Sequence, residues 1–218
     1  LLWGCRHRSA PEPIPSGRPM KKRRLSQLDW VKGALDALVE GGIEAVRIDT
    51  LAEKLGVTKG SFYHHFDSRD DLLDAMAADW ADNELEAVVD EVSALPGDPK
   101  MRMQLVVGIY ERRDLARYDR AMRAWAQSDP RAEQAVIKAS DRIERLFVQL
   151  FGEMGFDEPQ ANLRARILIL CGIGAIFSVE RQRRDDPADL RERFFEFLTA
   201  GSAEEALLEA ASLSPGDL

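Results

Sequence analysis

A chain of 218 residues, 45% hydrophobic and 31% charged, is long enough to bury a real core, and this composition excludes wholesale disorder and collagen-like order. The net charge is −8, yet residues 1–25 set seven Arg and Lys side chains against Glu12 alone, a local +6 that leaves −14 for the rest. Phosphate attraction acts over roughly a Debye length of about 8–10 Å, so an acidic total does not exclude nucleic acid as a partner.

Residues 1–24 read as a flexible, partly basic extension. Residues 9–19 are rich in Pro, Ser and Gly, no signal-peptide core follows Leu1-Leu2-Trp3, and Met20 reads as the natural start. Lys21-Lys22-Arg23-Arg24 fits a solvated tail and a DNA-contacting arm equally well. A first helix opens near Ser26, carries Leu28, Val31, Leu35, Leu38 and Val39 on one face and stops at Gly41-Gly42. Short helices at about 49–55 and 58–65 flank Gly56-Val57. Ser68-Arg69-Asp70-Asp71 has the form of a capping box and opens a long helix with Leu72, Leu73, Met76, Trp80, Val88 and Val92, ended by Pro96-Gly97-Asp98-Pro99.

Further helices are predicted at about 100–113, 115–127, 130–154, 159–183 and 187–200, several started by Asp followed by Pro, with a last one after Ser202. Ile167 to Val179 is apolar but shorter than the ~20 residues of a membrane span, and it reads as a buried helix. No stretch alternates like a strand. The fold class is therefore all-α: a three-helix unit at 25–68, a larger helical body at 69–213 and a tail at 214–218. Cys5 and Cys171 give neither a disulfide framework nor a zinc site, which suits a reducing cytoplasm.

Leu51-Ala52-Glu53-Lys54-Leu55-Gly56-Val57-Thr58-Lys59 has the layout of a helix-turn-helix: a small residue where helices approach, a glycine for the sharp turn, and Val57 to plug the angle. At 100° per residue, Phe62 and Phe66 share the inward face of the third helix, and the opposite face centres on Gly60 and His64 with Lys59, Ser61 and Tyr63 beside them. A cation, a hydroxyl, a phenol, an imidazole and one gap for close backbone approach suit a DNA major groove. Adjacent His64 and His65 point about 100° apart and offer no metal pair.

The stretch from Trp30 to Leu73, above all the run Leu51 to Phe66 ending in Tyr63-His64-His65-Phe66, with Gly42-Ile43-Glu44-Ala45 and Ser68-Arg69, resembles the DNA-binding domain of the TetR family. That resemblance implies a homodimer on a double-stranded operator, with phosphate contacts from Thr58, Tyr63 and Arg69 and base readout by Lys59, Gly60, Ser61 and His64. Val46-Arg47 departs from the family's hydroxyl residues at the start of helix two; Asp49 is the substitute cap and Arg47 a cation for the backbone. The Ala121–Ala126 segment before Asp129-Pro130, and the Gly172-Ile173-Gly174 helix, resemble one subgroup more loosely.

For the body, the resemblance implies an effector cavity, for which the soft and aromatic side chains Met76, Trp80, Met101, Tyr110, Met122, Trp125 and Phe147 are the candidates. Ile167, Leu170, Ile173, Gly174 and Phe177, with Phe194 and Phe195, make two helices too apolar for lone surface elements; the resemblance implies that they pair across a two-fold axis, and the alternative is an intramolecular core. The expected function is a ligand-released repressor whose effector is a small, partly apolar molecule, without cofactor, metal or membrane. The alternatives are a constitutive DNA-binding factor and, remotely, a helical enzyme, for which the sequence offers no nucleophile–base pair and no phosphate loop.

Overall fold

Short side chains that accept a backbone N–H start five of the ten described α-helices. In the computed structural model, which describes residues 25–178 and 188–201, Ser26 caps α1 (Gln27–Gly41) with a reciprocal bond from Asp29, and Ser68 caps α4 (Arg69–Asp79) with Asp71 in the same way. Asp98, Asp129 and Asp157 accept from backbone amides at the starts of α6 (Pro99–Arg112), α8 (Pro130–Glu153) and α9 (Glu158–Phe177), each with Pro in the first turn. Pro has no N–H to leave unsatisfied there. The remaining helices are α2 (Ile48–Lys54), α3 (Lys59–Phe62), α5 (Leu85–Ser93), α7 (Leu115–Trp125) and α10 (Ala188–Thr199). No strand occurs among the described residues. The basic run 21–24, the expected extension of α9 to 183, the helix after Ser202 and the tail at 214–218 lie outside them.

Two predicted elements change form. The third helix has four residues, and Tyr63, His64 and His65 continue it as turns. The long helix after Ser68 is interrupted by a π-helical stretch, Trp80–Glu84, between α4 and α5. One added residue per turn there shifts the face that α5 presents relative to α4.

Two hydrophobic cores result. The first joins α1–α3 to α4, to the C-terminal half of α7 and to the start of α8: Trp30, Leu38, Leu51, Phe62, Phe66, Met76, Trp80, Met122, Trp125 and Ala135 are all buried in it. The second holds α5, α6, the rest of α8, α9 and α10 through residues such as Val92, Met103, Phe147, Leu150, Phe151, Leu168 and Phe195. The helix-turn-helix is thus built onto α4, α7 and α8 by a shared apolar interior rather than hung from a linker.

The expectation that the apolar 167–179 run is a buried helix does not hold. α9 packs one side on α8, but Leu163, Leu170 and Phe177 are exposed, and only 17% of the helix's most apolar stretch is buried. By length and composition alone α9 could also cross a membrane, with a mean hydropathy of 1.3 over that window. Arg164 instead bonds the Leu198 carbonyl at 2.9 Å and lies over the Phe156 ring at 4.1 Å, which ties α9 to its neighbours.

Candidate nucleic-acid interface and ligand cavity

The turn between α2 and α3 forms as its sequence requires. Gly56 takes φ 68°, a conformation that side-chain-bearing residues avoid, and the Val57 N–H closes the corner on the Ala52 carbonyl at 2.9 Å. Close packing reaches α1 as well, where a Cβ added at Gly33 would meet Leu55 Cδ2 at 3.4 Å. Phe62 fixes α3 from beneath: it is fully buried, edge-on to Trp30 at 5.3 Å and stacked on Phe66 at 5.3 Å. A four-residue helix has no stability of its own, so these ring contacts decide where its outer face points.

That face carries most of the predicted readout set. Thr58, Lys59, Gly60, Tyr63 and His64 are exposed, and Ser61 is half-buried beside them. Arg47 is exposed at the start of α2. Lys59 does not stand free: its Nζ lies 2.9 Å from Asp49 Oδ1, and this hydrogen-bonded carboxylate raises the ammonium pKa. Both groups are on the surface, where such a pair is weak and easily exchanged for another anion.

Two expectations about this region need correction. Asp49 does not cap α2; Arg47 occupies the cap position without a side-chain bond, and the Asp49 carboxylate is engaged by Lys59. Arg69 does not simply extend toward a phosphate. Its Nε donates to the Val46 carbonyl at 2.7 Å and its Nη2 to Ile43 at 2.8 Å, so the guanidinium clamps the start of α4 to the 43–46 turn. Neither partner shows a periodic sequence signal, being 23 and 26 residues away.

In the body, a cavity of about 830 Å³ opens among α6, α7, α8, α9 and α10, within the size range of small-molecule sites. Of the seven candidate lining residues, Tyr110 and Phe147 face it. Met76, Trp80, Met122 and Trp125 are instead buried in the first core, where they glue α4 and α7 to the helix-turn-helix, and Met101 is exposed on α6. The candidate dimer residues also divide. Ile173, Phe194 and Phe195 line the cavity, and Ile167 packs half-buried on the second core. Leu170, Gly174 and Phe177 remain on the exposed side of α9.

A buried polar network borders the cavity. The Tyr110 hydroxyl donates to Asp119 Oδ2 at 2.7 Å, and Arg123 Nε, one turn along α7, donates to Oδ1 at 2.8 Å. Burial, then the Asp119 charge, pushes the Tyr110 phenol well above its ordinary value, so it stays a donor. The opposite side of α7 faces α1, where the Tyr118 hydroxyl donates to Asp36 Oδ1 at 2.6 Å. Burial, then that carboxylate, raises the Tyr118 pKa. Sequence reading missed this role of α7 because its polar pairs span as many as 82 residues; only the Asp119–Arg123 spacing of four was visible in the chain.

Known proteins match this arrangement where it is most specific. The family model for bacterial regulatory proteins of the tetR family covers residues 31–76, the segment that holds the α3 face, its Phe62 anchor and the Arg69 clamp. Over residues 31–76 the chain is similar to the DNA-binding module of the tetR family. The HTH-type transcriptional regulator BetI of Klebsiella pneumoniae (strain 342) is 32% identical over 92 residues, which is 42% of this chain and 45% of the relative. BetI of Escherichia coli (strain K12 / DH10B) is 32% identical over 90 residues, 41% and 45% of the two chains. The chain thus spans under half the length of the curated relatives it matches.

The likeness in fold extends further than the match in sequence. A transcriptional regulator from Rhodococcus sp. Rha1 aligns over 88% of this chain and all of its own at a TM-score of 0.64 and 21% identity. A regulator from Saccharomonospora viridis, solved with choline, aligns over 81% and 96% at 0.66 and 19%. FadR from Bacillus subtilis, solved with stearoyl-CoA, aligns over 81% and 99% at 0.60 and 16%.

Proposed function

We propose that this chain is a cytoplasmic transcriptional repressor that binds a palindromic DNA operator as a homodimer and is released when a small, partly apolar molecule fills the α6–α10 cavity. The single observation that carries the DNA reading is the exposed Lys59–Gly60–Tyr63–His64 surface backed by a fully buried Phe62. Such a surface is rigidly aimed and chemically suited to phosphates and base edges.

The exposed apolar stripe on α9 supports the dimer. Leu163, Leu170 and Phe177 recur every seven residues, so they align along one side of the helix, and a second copy related by two-fold symmetry covers the stripe with its own. Two copies then set their α3 helices in successive major grooves, about 34–36 Å apart.

Release follows from α7. One side of this helix borders the cavity through Ala116, Arg117 and Arg120; the other reaches α1 through Tyr118 and shares the first core through Met122 and Trp125. A ligand that favours one setting of α7 therefore favours one setting of the DNA module, and a coupling of about 1–3 kcal/mol would be typical. Only a ligand with different affinities for the two settings can do this.

The test is DNA affinity at fixed salt, on a duplex selected from random sequence by the wild-type protein. Lys59→Ala and Tyr63→Ala should each weaken binding by about 1–3 kcal/mol, or roughly 5- to 150-fold. Unchanged affinity in both variants would overturn the assignment of α3.

A further inference from the structure

We propose that the cavity takes an apolar monoanion, a carboxylate on a hydrocarbon or aryl body, and that the Arg120 guanidinium receives its charge. This rests on the ligand-cavity reading and adds the chemical class. The walls are aliphatic and aromatic, with Val106, Ile143, Phe147, Leu168 and Phe195 among them. Among the described residues, the charged ones lie at the exposed rim: Arg117, Arg120 and Arg191 against Glu111 and Asp114, a local charge of +1 from these five.

The pairing around the rim singles out Arg120. Arg191 bonds Glu111 at 2.6 Å. Arg117 reaches Asp114 at 3.4 Å, donates to the Tyr118 hydroxyl at 2.9 Å and lies 4.6 Å from the centre of that ring. The deeper carboxylate, Asp119, is already engaged by Tyr110 and Arg123. Arg120 makes no hydrogen bond, ion pair or ring contact among the described residues. It stands one helical turn beyond Ala116, which also lines the cavity, so an apolar body can lie inside while its head group reaches the guanidinium at the lip.

The chemistry of that position favours one sign of charge. A carboxylate matches the guanidinium fork with two charge-assisted hydrogen bonds, and guanidinium is weakly hydrated, which limits the cost of drying the contact. A cationic head group meets three guanidinia at the rim while the acids are paired. A neutral one leaves the Arg120 charge without a counter-ion.

The experiment uses the purified full chain with Nile red, a neutral apolar dye, as the reporter of cavity occupancy. Decanoate, decanamide and decyltrimethylammonium are compared as displacers. Decanoate should displace the dye at a concentration about tenfold or more below decanamide, the range expected for a charge-assisted hydrogen bond. Arg120→Gln should erase that advantage without moving decanamide, and Arg120→Lys should restore part of it. Equal displacement by decanoate and decanamide, an unaffected Arg120→Gln, or preference for the cation overturns the proposal while the cavity reading stands. Failure of the dye to enter at all removes the cavity reading and this proposal together.

Discussion

Replacing Phe62 by Ala tests how the DNA-reading face is held. The ring is completely buried and touches Trp30, Tyr63 and Phe66, each with centroids 5.3 Å away. Removing such a side chain costs about 3–5 kcal/mol through lost burial and the cavity left behind. At about 2–4 °C per kcal/mol for a protein of this size, the unfolding midpoint should fall by roughly 6–20 °C. Because α3 has only four residues, the loss should also release the face itself. DNA affinity measured well below the new midpoint should therefore drop, with the protein still folded by circular dichroism. Scanning fluorimetry supplies the midpoint and fluorescence anisotropy the affinity. A midpoint shift under about 2 °C, or wild-type affinity in the folded variant, would refute the anchoring argument.

Leu170→Arg alters a residue that is 60% exposed in the single chain, so it should change the stability of an isolated protomer by no more than about 0.5 kcal/mol. It should nevertheless convert the proposed dimer to a monomer in light scattering and weaken operator binding; an unchanged dimer mass would contradict the proposed α9 interface. At the start of α8, the hydrogen bond from Arg131, followed by backbone and charge contributions from the same residue, holds the Asp129 carboxyl below its ordinary range against the opposing effect of burial. A depressed folded pKa adds stability that is fully present above the unfolded value, about 3.9, and is lost as pH falls through the folded value. Asp129→Asn keeps a capping side chain but should flatten the fall in stability below about pH 4, as read from midpoints across an acid series. A slope identical to wild type would show that this carboxylate is not responsible.

The parts of the fold carried by local chemistry were legible in the chain. Ser26, Ser68, Asp129 and Asp157 announced helix starts, Gly56 announced the turn, and the four-residue spacing of Phe62 and Phe66 gave the inward side of α3. What escaped was set by packing between distant segments. Met76, Trp80, Met122 and Trp125 have the composition of a ligand cage, yet they fill the junction between α4, α7 and the helix-turn-helix. A sequence pattern gives the apolar side of a helix without naming what that side meets. The same limit explains α9 and α10, where Ile173, Phe194 and Phe195 turn to the cavity and Leu170 and Phe177 turn outward. Arg69 shows a third case: its place in the motif was evident, but its bonds to the Ile43 and Val46 carbonyls depend on a turn folded back from more than twenty residues earlier.

Hydroxyl-radical footprinting of the wild-type protein on its selected duplex bears most directly on the central claim. Two protected half-sites on one face of the DNA, related by a palindrome and centred about 34–36 Å apart, with protection lost when Leu170→Arg replaces the wild type, is the predicted result. A single protected half-site bound by one chain, or no sequence enriched from the random pool, would contradict the account.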